Sequence, residues 1–380
     1  MSRRINFRLA VLLALLLAGA AHQIAREHRP SVLHPGLRLF AYVTNTASGT
    51  ISAVDLVRLS VAATIPVGPR PSGIRAHPTR KEIWGVSSET GEIWVIDAPE
   101  GKVAARIRVG PAPFALDFSL DGSRAFVAAS GGGTVVAVDC ARRSVVARAQ
   151  VGRRPWVARV TPDGSSLLVP DRDSGTLTIL RTADLGLIAT VRVAPGPEHV
   201  VVLPDSSKAF VAAAGAGASR ESSGQVSVVD LKRNVLLTNL PLPGAAAGLV
   251  LKPDGGELFV PAPASHGLAI VNTWTNEIGD QVLMGAAPSQ AALTGDSHWL
   301  YVSDPQGGRV IPVEIPLRRV LKPVPVGQRP GVSRFTPGED LLLVVNEGSN
   351  DLAVIRTRTN SLITLVPVGD SPRDLAILAF

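Results

Sequence analysis

One cysteine, Cys140, stands in 380 residues, so no intrachain disulfide can form. No CxxC or CxxCH pairing exists to hold zinc or to attach a c-type haem. Aromatic residues are 4% of the chain and charged residues 18%. Acylating and phosphate-binding motifs are also missing: there is no GxSxG elbow, no HExxH and no GxxxxGK loop. No segment beyond the N-terminus repeats its apolar residues with a helical period. Basic residues are scattered, which argues against a nucleic-acid surface. Six of the 38 are lysines and the rest arginines.

What is present is apolar and small. Apolar residues reach 46%, enough for a large core built from Val, Ala, Leu and Ile. Glycine (36) and proline (30) are spread along the chain, as many short strands and tight turns require. The first 21 residues differ in kind. "MSRRINFRLAVLLALLLAGAA" has a basic start, an apolar stretch and a small-residue site, the layout of a secretory signal peptide cleaved near Ala20. Its apolar stretch is short of the ~20 residues that span a bilayer. The expectation is an exported protein, periplasmic or secreted, with no membrane span in the mature chain. An uncleaved anchor is the alternative. Residues 22–38 read as a linker and residues 39–380 as one domain.

That domain is periodic. "VGPRP" at 67 recurs as "VGPAP" at 109, "VGRRP" at 151, "VAPGP" at 193, "MGAAP" at 284, "VGQRP" at 326 and "VGDSP" at 368. Gly68, Gly110, Gly152 and Ala194 are 42 residues apart, as are Gly285, Gly327 and Gly369. A degenerate anchor, "LPGAA" at 242, and a Gly/Ala/Ser insertion of seven residues fill the one long gap. A fixed period near 40 residues signals repeat architecture. Each unit reads as four strands parted by Gly, Asp and Pro turns, which is the blade of a β-propeller. Eight anchors enclose seven complete units. Three strands at the front and one at the end make an eighth, closed by the C-terminal strand. The fold expected is all-β, an eight-bladed propeller, with seven blades as the alternative if one unit is irregular.

The stretch "AYVTNTASGTISAVDL" (41–56) resembles the signature of YVTN-type β-propeller repeats of exported and surface-layer proteins. "LYVSDPQGGRVIPVEI" and "AFVAASGGGTVVAVDC" are weaker copies. The resemblance covers residues 39 to 380 and implies the fold, not an activity.

The anchor glycines and prolines read as architecture: Gly for a tight loop, Pro to open a strand. Ligands of propellers gather where anchor loops and second-to-third-strand loops meet around the channel. Each blade offers three positions there: the first and second residues after the anchor proline (or Ala246), and the end of the second strand. They are not alike from blade to blade. Trp156, Glu198, His199, Arg373, Asp374, Asp171 and Asn45 are the candidates for a ligand site, with Arg153 and Arg154 in the loop of Trp156. Acid, base, imidazole and indole together suit a small-molecule or protein ligand, a haem or a divalent metal. "DRDSG" (171–175) resembles the opening of a calcium loop without its distal Glu.

Three functions compete. The first is an exported, non-catalytic, monomeric propeller that binds a small molecule or protein partner at the channel mouth. The second follows from similarity to the eight-bladed haem domain of cytochrome-type nitrite reductase and the propellers that assemble its haem: a haem-binding or haem-maturation protein. The third is a lactonase-like hydrolase whose divalent metal would be held by Glu198, Asn45, Asp304 and Asn346.

Overall fold

The computed structural model describes residues 38–215 and 224–380. The stretch expected to be a signal peptide, nearly all of the expected linker and most of the Gly/Ala/Ser insertion lie outside the described residues. The strands form eight antiparallel sheets in a ring. Seven sheets hold four strands each, and every sheet uses consecutive strands except the closing one. The domain is an eight-bladed β-propeller.

Blade 1 is the closing blade. From the outside inwards it runs Ser60–Pro66, Thr50–Asp55, Leu39–Asn45 and then the C-terminal Pro372–Ala379. The two ends pair antiparallel from Leu39↔Ala379 to Asn45↔Pro372. Arg38 and Phe380 exchange backbone hydrogen bonds at 2.8 and 2.9 Å, and the rings of Phe40 and Phe380 stack at 5.6 Å. Blades 2 to 8 follow in chain order, their innermost strands beginning at or just after Pro71, Pro113, Pro155, Pro197, Ala246, Pro288 and Pro330.

Burial explains the hydropathy of each strand. Second and third strands are covered on both faces by neighbouring blades, so Glu82–Ser87 is buried throughout and reads as a nearly unbroken apolar run. Fourth strands form the outer edge. Lys102–Arg108 alternates exposed and half-buried, with alternating polarity to match. The core is a set of separate interfaces between adjacent blades. Trp84 of blade 2, for example, packs with Leu116, Phe118 and Val127 of blade 3.

One blade departs from the expected four strands. In blade 7 the outer strand is broken into Arg319–Val320 and Val324–Pro325, both paired to Arg309–Glu314. Pro323 lies in the gap and Pro312 in the strand it faces. Neither can donate a ladder hydrogen bond, so pairing lapses between them.

The anchor glycine has a different purpose from the expected tight loop at three blades. A Cβ on Gly152 would sit 2.6 Å from Asp171 Cβ, and one on Gly369 would sit 2.6 Å from Asn45 Nδ2. One on Gly327 would meet Asn346 Nδ2 at 2.6 Å. The glycine makes room for the side chain that ends the blade's second strand. In these blades the left-handed residue is the one just before the anchor proline, at Arg154, Arg329 and Ser371, whereas Gly68, Gly110 and Gly285 do adopt positive φ.

Candidate functional site

The innermost strands start at one face of the ring, and their first residues converge around its axis. Of the sixteen positions that follow the anchor prolines, all except Gly331 line one cavity of about 670 Å³. Trp156, Glu198, His199, Arg373 and Asp374 are all on its wall. The eight second-strand ends are not. Asn45 and Asp171 are fully buried within their blades, beneath the anchor glycines. Asn45 Nδ2 donates to Thr50 Oγ1 at 3.0 Å and Ser52 Oγ at 2.9 Å. Asp171 Oδ2 accepts from Thr176 Oγ1 and Thr178 Oγ1, at 3.0 and 2.6 Å. These side chains tie the second strand to the third and do not face the cavity.

The wall has two unlike halves. Around blade 6 it is small and apolar, with Ala245, Ala246, Ala247, Gly248 and Ala264. The other half carries rings and charge. Phe114 and Trp156, from adjacent blades, lie 4.2 Å apart between centroids and 31° apart in plane. A guanidinium flanks each ring: Arg373 over Phe114 at 5.7 Å and Arg172 over Trp156 at 5.4 Å. Cation–π contacts of this kind contribute about 0.5–2 kcal/mol. Arg172 also pairs with Glu198, Nε to Oε1, at 2.9 Å. Glu198 is therefore spent on holding Arg172 against the indole.

His199 stands beside Glu198, and among the described residues its ring makes no hydrogen bond. Burial holds its imidazole below the usual histidine range; Glu198 raises it and Arg159 lowers it further. The shift favours the neutral imidazole, which keeps one ring nitrogen unprotonated.

Sequence reasoning missed the deeper residues. Arg75, Arg159 and Arg334 stand four positions after their anchor prolines and line the cavity below the mouth. The signal was available, because every second residue of a strand faces the same side. Asp374 Oδ1 accepts from Arg334 Nη2 at 3.0 Å, and Oδ2 lies 3.5 Å from Arg75 Nη1. Arg159 Nη1 pairs with Asp117 Oδ2 at 3.2 Å. The wall itself holds four arginines (Arg75, Arg159, Arg334, Arg373) against two carboxylates, Glu198 and Asp374. It is positive by two charges.

The expected metal donors do not converge. Glu198 is paired with Arg172, Asp304 with Arg309 at 2.8 Å, and Asn346 donates to Asp351 at 2.6 Å. Among the described residues no three His, Cys, Asp or Glu side chains form a group that could hold a metal ion. Asp173 of the calcium-like stretch faces Arg154 at 3.6 Å.

No protein-family model matches the chain, and no curated protein matches it either. Solved structures do. A structure described as dihydro-heme d1 dehydrogenase NirN in complex with DHE has a TM-score of 0.72 at 17% identity, covering 88% of this chain and 74% of that one. Apo AztD from Citrobacter koseri has a TM-score of 0.66 at 10% identity, covering 90% and 98%. Kuenenia stuttgartiensis hydrazine synthase has 0.61 at 18% identity, covering 76% and 95%. The shared feature is the propeller. At these identities the likeness is one of fold, and the side chains of the cavity carry the functional argument. Among the described residues no helix is long and apolar enough to cross a membrane.

Proposed function

We propose that this protein is an exported, non-catalytic propeller that binds a planar, anionic small molecule in its axial cavity. One observation carries the reading: the Phe114–Trp156 ring pair, flanked by Arg373 and Arg172, sits in a wall with two excess positive charges. A flat unsaturated ligand gains from the rings, and its anionic group from an arginine. A concave site of ~300–1,000 Å³ suits a small molecule better than a protein surface. Export rests on the N-terminal stretch, and N-terminal sequencing of the mature protein tests it.

The binding test uses anilinonaphthalene sulfonate, an anion with a flat naphthalene ring whose fluorescence rises on leaving water. Arg373→Gln and Trp156→Ala should each weaken binding by about 10- to 100-fold, the worth of a charge-assisted contact of ~1.5–3 kcal/mol. Equal dye affinity in wild type and both variants rules out this site.

A second reading, haem binding, is favoured by one observation: the neutral, unpartnered His199 imidazole on the same wall. His199 would supply an iron ligand, the rings a flat contact, and Arg373 a partner for a peripheral carboxylate. A bound haem would bring redox and ligand-binding chemistry. The fold likeness to a haem d1 dehydrogenase fits this reading. Titration with hemin tests it: a Soret band typical of imidazole ligation, lost in His199→Ala, is expected. A spectrum unchanged by that substitution discards it.

A further inference from the structure

The cationic wall is not uniformly compensated. Arg172 is matched by Glu198 and Arg159 by Asp117. Below them, Arg75 and Arg334 share the single carboxylate of Asp374. Its two oxygens already accept from Leu375 N at 2.9 Å and Ile74 N at 3.4 Å as well as from Arg334. One carboxylate charge is thus divided between two guanidiniums. Arg75 is 3.5 Å away, and the hydrogen bond its Nη1 makes is to its own neighbour's carbonyl, Ile74 O, at 2.9 Å.

The electrostatics agrees with a shortage of negative charge. The Arg75 guanidinium is held down to about 10, by burial first and by the charge of Arg334 second. A buried cation is depressed in this way when its counter-charge is insufficient.

We infer that Arg75 and Arg334 form an oxyanion subsite in the depth of the cavity, with Asp374 as its fixed, insufficient counter-ion. It takes a carboxylate, sulfonate or phosphate, free or carried on a larger ligand. Together with the unpaired Arg373 at the rim, it makes the cavity selective for dianions over monoanions. The identity of the natural ligand rests on the cavity reading given above; the subsite itself does not.

Inorganic sulfate is the probe. The protein is melted in increasing sodium sulfate and, separately, in sodium chloride of equal ionic strength. Sulfate also stabilises proteins by exclusion from their surface, but that effect does not saturate and is common to all variants. Occupancy of the subsite should add a saturable rise of roughly 1–3 °C. Arg75→Gln and Arg334→Gln should each abolish the saturable part. Arg334 also donates to Leu375 O at 2.7 Å, so Arg75→Gln decides the matter if Arg334→Gln does not fold. Identical sulfate curves for wild type and Arg75→Gln overturn the subsite, whatever the dye shows. A saturable sulfate effect without dye binding keeps the subsite and discards the planar-ligand reading. Where both bind, dye affinity that falls at saturating sulfate assigns the subsite to the ligand's own anionic group. Unchanged dye affinity assigns it to a free anion.

Discussion

Replacing Asp171 by Asn should stabilise the protein at neutral pH and change little in acid. The Asp171 carboxyl is fully buried, and among the described residues no arginine or lysine pairs with it. Its Oδ2 accepts from two threonine hydroxyls while Oδ1 has no partner. Burial pushes the carboxyl from the usual 3.8 up to about 6, against the smaller pull of the two threonines and of the Gly152 backbone N–H. The folded value lies above the unfolded one, so folding favours the protonated form. That contribution is whole below about pH 4 and is lost as pH rises through about 6. Above that range the protein carries a buried, poorly satisfied anion. At about 1.4 kcal/mol per pH unit, the rise makes the ionised form cost roughly 3 kcal/mol. An asparagine never ionises, and its amide can donate to Thr176 and Thr178. The repeat already does this in blade 1, where Asn45 occupies the equivalent place and donates to Thr50 and Ser52. Asparagine there also fits under Gly369 much as Asp171 fits under Gly152. The advantage of Asp171→Asn over wild type should grow from near zero at about pH 4 to ~3 kcal/mol at about pH 8, or roughly 4 °C in melting temperature for a domain of this size. The assay is urea unfolding of both proteins across that range. Only their difference is compared, so titrations common to both cancel. A difference that stays flat with pH, or falls as pH rises, refutes the reasoning.

Other outcomes follow from the same structure. Gly152→Ala should cost about 1–3 kcal/mol, because the new Cβ would lie 2.6 Å from Asp171 Cβ and neither backbone can easily move away. Gly331→Ala, which meets only Val345 O at 3.9 Å, should cost under ~0.5 kcal/mol, and urea unfolding compares the two. Deleting residues 375–380 should abolish soluble monomer on gel filtration, since it removes most of the strand that closes blade 1 and leaves Leu39–Asn45 with an open edge. A truncated protein that melts like the whole one contradicts that closure. Cys140 is buried and its thiol is pushed up to about 12, chiefly by burial. A thiol reagent at about pH 8 should label it only after unfolding.

The repeat carries the fold because it is a local property of the chain. Each anchor says where a blade begins, and the 42-residue period with its split unit is enough to count the ring and to assign its closure to residues 373–380, one residue from the strand Pro372–Ala379 that forms. It also names the mouth: Trp156, Glu198, His199, Arg373 and Asp374 occupy repeat positions that a propeller must bring to one face. The period could not say which other repeat positions share that face. Asn45 and Asp171 end their second strands beside the same loops, yet the anchor glycine of each blade closes over them and turns them into ties between strands. Charge balance was hidden for a different reason. Asp374 meets Arg75 across 299 residues and Arg334 across 40, and Arg373 meets Phe114 only because the ring is closed. No spacing in the chain encodes those meetings. Whether an arginine is matched, shared or free depends on which carboxylates the neighbouring blades present, and neighbours in a ring are decided by closure.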